Sequence, residues 1–127
     1  MPLKIELKPY EYMLVANVKI LNDSGYWAHL SIEGQSPVLR EKDVMHELQA
    51  TTPLKQLYYS VQNLYLTNQE VYHDDSDTKL FDLCQEPSKI VQELNEIQIH
   101  LDNGRFYKAL KEIKRLIDTE DKKTVEG

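Results

Sequence analysis

The sequence predicts an α+β fold, in which a small N-terminal antiparallel β-sheet or partial barrel is followed by a helical C-terminal half ending in a helical hairpin. Three observations carry this. Apolar residues alternate with polar ones through the first third of the chain, and beyond residue 52 they recur every three or four residues. Asn103-Gly104 then interrupts the last helical stretch. At 127 residues the chain is long enough for one compact core and too short for two independent ones. The expectation is a single domain over 1–127, with a β-rich part at 1–50, a helical part at 51–121 and a frayed tail at 122–127.

Leu3, Ile5 and Leu7 alternate with Lys4, Glu6 and Lys8, placing three apolar side chains on one face of a first strand. Pro9-Tyr10-Glu11 reads as a bend. A second run over about 12–20 sets Leu14, Ala16, Val18 and Ile20 on one face. Asn22-Asp23-Ser24-Gly25 is a turn, because Asn, Asp and Gly tolerate left-handed backbone. The third run alternates Tyr26, Ala28, Leu30 and Ile32 with Trp27, His29, Ser31 and Glu33, and Gly34-Gln35-Ser36-Pro37 breaks it. Val38-Leu39 supplies one more short strand. Between 39 and 50, Leu39, Val44, Met45 and Leu48 fit either one helical face or a strand followed by a loop, the second being preferred.

Thr52-Pro53 then starts a helix, with a hydroxyl to cap it and proline at the first helical position. Its apolar stripe is Leu54, Leu57, Tyr58, Val61, Leu64 and Tyr65. The polar stretch Asn68-Gln69-Glu70, then His73 to Asp77, reads as a loop or a frayed segment, followed by a short amphipathic piece through Leu80, Phe81 and Leu83. Pro87 opens the next helix, with Ile90, Val91, Leu94, Ile97 and Leu101 on one side. The last helix starts near Arg105 and carries Phe106, Tyr107, Leu110, Ile113, Leu116 and Ile117. The tight Asn-Gly link makes these two a helical hairpin.

Composition narrows the class. Hydrophobic residues make up 41% and charged residues 28%, which is a globular balance. A lone cysteine, Cys84, allows no intrachain disulfide and fits a reducing compartment. No apolar run approaches the length of a membrane span, and the first residues lack a signal-peptide core, so the expected location is the cytoplasm, with no membrane partner. Net charge is −6, but it is uneven: residues 68–104 carry −7, whereas 105–115 hold five cations against Glu112. A basic surface can therefore coexist with an acidic total.

Catalytic motifs are absent from the sequence. His29, His46, His73 and His100 form no HExxH, and no GxSxG, Walker A or GxGxxG occurs. His73-Asp74-Asp75-Ser76-Asp77 lacks the central glycine and terminal glutamate of a calcium loop and reads as a solvated acidic segment. Neither catalytic residues, nor a metal, nor a cofactor is expected. Nucleic-acid binding has more material. Arg105, Lys108, Lys111 and Arg115 share one helix face and could track phosphates; the alternative is the solvated face of an ordinary amphipathic helix. Arg40 and Lys42 lie beside the strands, and Tyr10, Tyr12, Tyr26 and Trp27 offer faces for stacking on unpaired bases.

Several strings, taken in order, resemble the flagellar-biosynthesis regulator family FlbT. They are Pro2-Leu3-Lys4 with Leu7-Lys8-Pro9, Val38-Leu39-Arg40-Glu41-Lys42-Asp43, Ala50-Thr51-Thr52-Pro53, Leu57-Tyr58-Tyr59-Ser60-Val61-Gln62, and Phe106-Tyr107-Lys108-Ala109-Leu110. Two positions depart from the family pattern: Tyr10 stands where a glycine follows the early Lys-Pro, and Ala16-Asn17-Val18 stands where the pattern has Asn-Gly-Ala. The resemblance implies a cytoplasmic bacterial regulator acting after transcription on the 5′ untranslated region of flagellin messenger RNA. It would repress translation or promote decay of the message, with the small flagellar protein FlaF as its counterpart.

Two functional expectations follow. One is an RNA-binding repressor without catalysis, with Arg40, Lys42, Arg105, Lys108, Lys111 and Arg115 on phosphates and Tyr10 or Trp27 on a base. The other is a module that binds protein, either a FlaF-like partner or flagellin, through Tyr58, Tyr59 and Tyr65. An exposed β edge also invites pairing with a second copy, a homodimer.

Overall fold

The computed structural model describes residues 2–85 and 89–126. Among the described residues five strands precede four α-helices, which confirms the α+β architecture. The chain divides into two compact units, Met1–Val44 and Met45–Gly127.

The first unit holds two antiparallel sheets in place of one. β1 (Leu3–Leu7) pairs with β4 (Ala28–Ile32), setting Lys4 opposite Ser31 and Glu6 opposite His29. β2 (Tyr12–Val15) is the centre of the other sheet, between β3 (Val18–Leu21) and β5 (Val38–Arg40). The single run expected over 12–20 is thus a hairpin. Val15 pairs with Val18 across a two-residue loop, and Ala16 takes a left-handed φ of +52° to make it. Reversal there changes which side chains face inward: Met13 is fully buried, while Leu14 and Ala16 are only half-buried and Val18 is exposed. Ile5, Leu7 and Met13 form the buried centre, packed by Val15, Ile20, Ala28, Leu30, Ile32 and Val38. Alternation therefore placed Ile5 and Leu7 correctly, whereas Leu3 at the strand end is exposed. β4 begins two residues later than the alternation suggested, leaving Tyr26 and Trp27 outside it.

After β5 come two single-turn 3-10 helices, Glu41–Asp43 and Glu47–Gln49, where a loop was the preferred reading. In the second unit, α1 (Pro53–Thr67) starts as its sequence dictates. The Thr52 hydroxyl accepts the amide of Lys55 at 3.2 Å, and Asn68 closes the other end in the left-handed region. Leu54, Leu57, Tyr58, Val61 and Leu64 are buried; Tyr65 is half-buried.

α2 (Glu70–Gln85) overturns the expected loop at 68–77. It lacks an apolar stripe, burying only Ser76 and Leu80 among its described residues. Local pairs support it instead: Lys79 Nζ lies 2.8 Å from Asp75, and His73 Nδ1 lies 3.2 Å from Asp77. Ser76 is held against α1 by a 2.9 Å hydrogen bond with the Ser60 hydroxyl. Pro87, expected to open the next helix, lies outside the described residues; α3 spans Val91–Asp102. Asn103-Gly104 ends it, Gly104 at φ +71°, and α4 (Phe106–Glu126) completes the hairpin, its backbone helical beyond the expected end at 121. Leu94, Ile97 and Leu101 of α3 and Ala109, Leu110, Ile113, Leu116 and Ile117 of α4 are buried.

Candidate nucleic-acid interface

In the first unit the outward residues of β1 and β4 build a cleft of about 510 Å³, lined by Lys4, Glu6, His29, Ser31 and Arg40 together with Ile5 and Leu30. A second cleft of about 260 Å³ is lined by Glu6, Leu7, Lys8, Glu11, Trp27, Arg40 and Lys42. Glu6 and Arg40 are common to both. The strand period explains the arrangement: with Ile5 and Leu7 turned inward, Lys4 and Glu6 must turn out, and Lys8 follows them. Antiparallel register then sets His29 and Ser31 beside Glu6 and Lys4. His29 Nδ1 is 3.3 Å from the Glu6 carboxylate. Glu11 accepts the Lys8 amide at 2.9 Å, and Glu41 accepts the Tyr12 amide at 3.2 Å. Burial, with the Glu41 charge behind it, raises the Tyr12 phenol above its usual pKa.

Of the residues expected to bind RNA, Arg40, Lys42 and Trp27 are therefore brought together at one cleft. Tyr10 is exposed but is not part of either lining. Its backbone is left-handed, at φ +62°, and its amide donates to the Asn22 carbonyl at 2.8 Å. Asn22 is the residue that the sequence pattern did not single out beyond its turn. Its buried side-chain amide donates to the carbonyls of Leu7, Lys8 and Tyr26, fixing the chain on either side of the aromatic residues. Lys4, Lys8, His29 and Ser31 were likewise missed as cleft residues, although the alternation of β1 already placed the two lysines on its outer face.

In the second unit, Arg105, Lys108, Lys111 and Arg115 are all exposed, opposite the buried face of α4. They are not equivalent. Arg115 is bound by Glu112 one turn back, and its guanidinium is held above its ordinary pKa by that hydrogen bond, then by the Glu112 charge, with Glu93 and Glu96 contributing. Lys111 Nζ sits 5.2 Å over the Tyr107 ring, which itself lies 5.7 Å from Tyr65. Of the three tyrosines expected to face a protein partner, Tyr58 is turned into the core at 3% exposure, while Tyr59 and Tyr65 remain half-buried at the surface. Among the described residues no group of three or more His, Cys, Asp or Glu side chains could hold a metal ion, and no helix is long and apolar enough to cross a membrane.

Residues 3–123 match the model of the family described as flagellar protein FlbT. The chain belongs to the FlbT family. It is 34% identical over 122 residues to the "Probable flagellum biosynthesis repressor protein FlbT" of Rhodopseudomonas palustris, covering 95% of this chain and 96% of the relative. It is 32% identical over 128 residues to the "Flagellum biosynthesis repressor protein FlbT" of Caulobacter vibrioides, covering 97% and 89%. A Bradyrhizobium diazoefficiens protein named "Probable flagellum biosynthesis repressor protein FlbT 1" is 32% identical, covering 96% and 84%. No solved structure matches. Tyr10 and Ala16 are both left-handed here, a conformation that Gly and Asn tolerate better than Tyr and Ala.

Proposed function

We propose that this FlbT protein regulates flagellum biogenesis in the cytoplasm by associating with the 5′ untranslated region of flagellin mRNA, repressing its translation or promoting its decay. The reading draws on the relatives' names as flagellum biosynthesis repressors. The observation that carries it is that all six cations expected to meet RNA are exposed, in a molecule whose net charge is −6. Repulsion from an acidic surface has to be offset locally, and the exposed face of α4 concentrates positive charge, while Arg40 and Lys42 stand exposed on either side of Glu41 in the first unit. The protein needs no catalytic centre for this role, since occluding or remodelling a leader leaves decay to host nucleases. The test is a salt titration of purified protein with the flagellin leader RNA, beside an unrelated RNA of equal length. Binding that falls with added salt while keeping its preference for the leader supports the reading; equal or absent binding of the two RNAs defeats it.

A second reading, a module that binds a FlaF-like protein or flagellin, is favoured by the capture of Arg115 by Glu112 and by the half-buried Tyr59 and Tyr65. A stable complex with either protein in the absence of RNA would select it.

A further inference from the structure

We propose that the paired clefts on the outer face of β1 form one groove for an unpaired RNA segment, with a base stacked on Trp27 and the backbone phosphates on Lys4, Lys8, Arg40 and Lys42. This rests on the RNA-binding reading above and adds the form of RNA and the surface that takes it. Three observations combine. The clefts share Glu6 and Arg40, so their volumes of about 510 and 260 Å³ adjoin along the strand from Lys4 to Lys8.

Charge is the second. The linings carry four cations against two carboxylates, Glu6, which lies beside His29, and Glu11, which accepts the Lys8 amide. A positive groove in a chain of net charge −6 selects a polyanion over a neutral or basic ligand.

Third is the indole. Trp27 is 54% exposed although it is the largest apolar side chain in the molecule. It follows Tyr26, whose carbonyl Asn22 holds at 2.7 Å, and the same amide holds the Lys8 carbonyl at 2.9 Å. The ring is therefore presented on a fixed backbone beside the cations. An aromatic face next to positive side chains suits a base that is free to leave its own stack. Bases inside an A-form duplex have no free face to offer, which makes the ligand single-stranded.

Trp27 is the chain's one tryptophan, so its emission reports on the groove directly. The experiment follows that emission while the full chain is titrated with flagellin leader RNA, with the same RNA annealed to its complement, and with a poly-glutamate peptide. Affinities of Trp27→Ala, Arg40→Glu and the Arg105→Glu/Lys108→Glu pair are measured in parallel, after circular dichroism has checked their folding. The leader is expected to quench Trp27, and the annealed duplex and the peptide are not. Trp27→Ala should weaken leader binding by about tenfold or more, the scale of one base stack removed. Reversal on α4 should leave the quench at saturation in place. Leader binding without quenching, at an affinity unchanged by Trp27→Ala and Arg40→Glu, overturns the groove while leaving the RNA reading intact. Equal quenching by duplex or by poly-glutamate also overturns it, the latter pointing to an acidic peptide. No binding of the leader by the wild-type chain defeats the parent reading and the groove together.

Discussion

The side-chain amide of Asn22 donates to three carbonyls, those of Leu7, Lys8 and Tyr26, at 3.2, 2.9 and 2.7 Å, while its backbone carbonyl takes the Tyr10 amide. Replacing it by alanine leaves these carbonyls without their donor, that of Leu7 in a buried site and the other two partly buried. Asn22→Ala is expected to lower unfolding stability by about 2 kcal/mol, read from urea midpoints at unchanged m-value. Ala16 presents the opposite case. A left-handed Ala carries a steric cost of roughly 1–2 kcal/mol, partly offset because glycine loses more chain entropy on folding. Ala16→Gly should therefore stabilise the protein by about 0.5–1 kcal/mol in the same assay. Asn17, which is not left-handed, should gain nothing from the same change. The sequence marked 22–25 as a turn but held no sign of the hub inside it, because a buried amide leaves no periodic trace. Nor could alternation reveal a reversal at Ala16, a residue that avoids the conformation it adopts there.

At the level of elements, α1 and α2 show what decides legibility. The start of α1 was readable to the residue, since Thr52 caps it and Pro53 opens it, and its apolar stripe repeats with the helical period, Tyr65 alone of that stripe staying half-buried. α2 was invisible to the same test, since Ser76, Leu80 and a row of i, i+4 pairs hold it where an apolar face would normally do so. One of those pairs has a pH signature. Burial pushes the Asp75 carboxyl up, but the hydrogen bonds from Lys79 and Ser60, with the Lys79 charge, outweigh it and hold the group below its ordinary value. A lowered pKa means stability that is present at neutral pH and is lost as acid protonates the group below the range of a free aspartate, about 3.9. Asp75→Asn should thus be less stable than wild type at pH 7, by less than about 1 kcal/mol because the pair is largely solvated. That difference should vanish between about pH 4 and pH 2. A gap that persists at low pH would assign the effect to packing.

For the molecule as a whole, the change from period 2 to period 3.6 announced the α+β order, and every helix carrying an apolar face followed from it. Two sheets in place of one did not, because strand pairing depends on partners far apart in sequence: Lys4 meets Ser31, and Leu14 meets Leu39. The candidate interface divides along the same line. Exposure of Arg105, Lys108, Lys111 and Arg115 could be read from their spacing, whereas the meeting of Arg40 with Trp27 and with Lys4 joins residues far apart in sequence, Arg40 and Lys4 on separate sheets. Charge acts at this scale too. If α4 touches phosphates, Arg105→Glu/Lys108→Glu should weaken leader binding and make its logarithmic salt slope shallower, by about 0.7 for each single-strand phosphate no longer neutralised. An unchanged slope would mean that α4 only solvates the fold, with the neighbouring acids Glu93, Glu96 and Glu112 balancing it.

The sparse side-chain burial of α2 has a consequence in time as well as in energy. Eight residues of α1 are buried, against two of α2. A helix anchored by so few side chains can detach and re-form while the rest of the second unit stays folded. In deuterium, the amides of α2 should accordingly exchange through this partial opening, at rates insensitive to mild stabilisation of the whole protein. Those at the centre of α1 should wait for complete unfolding.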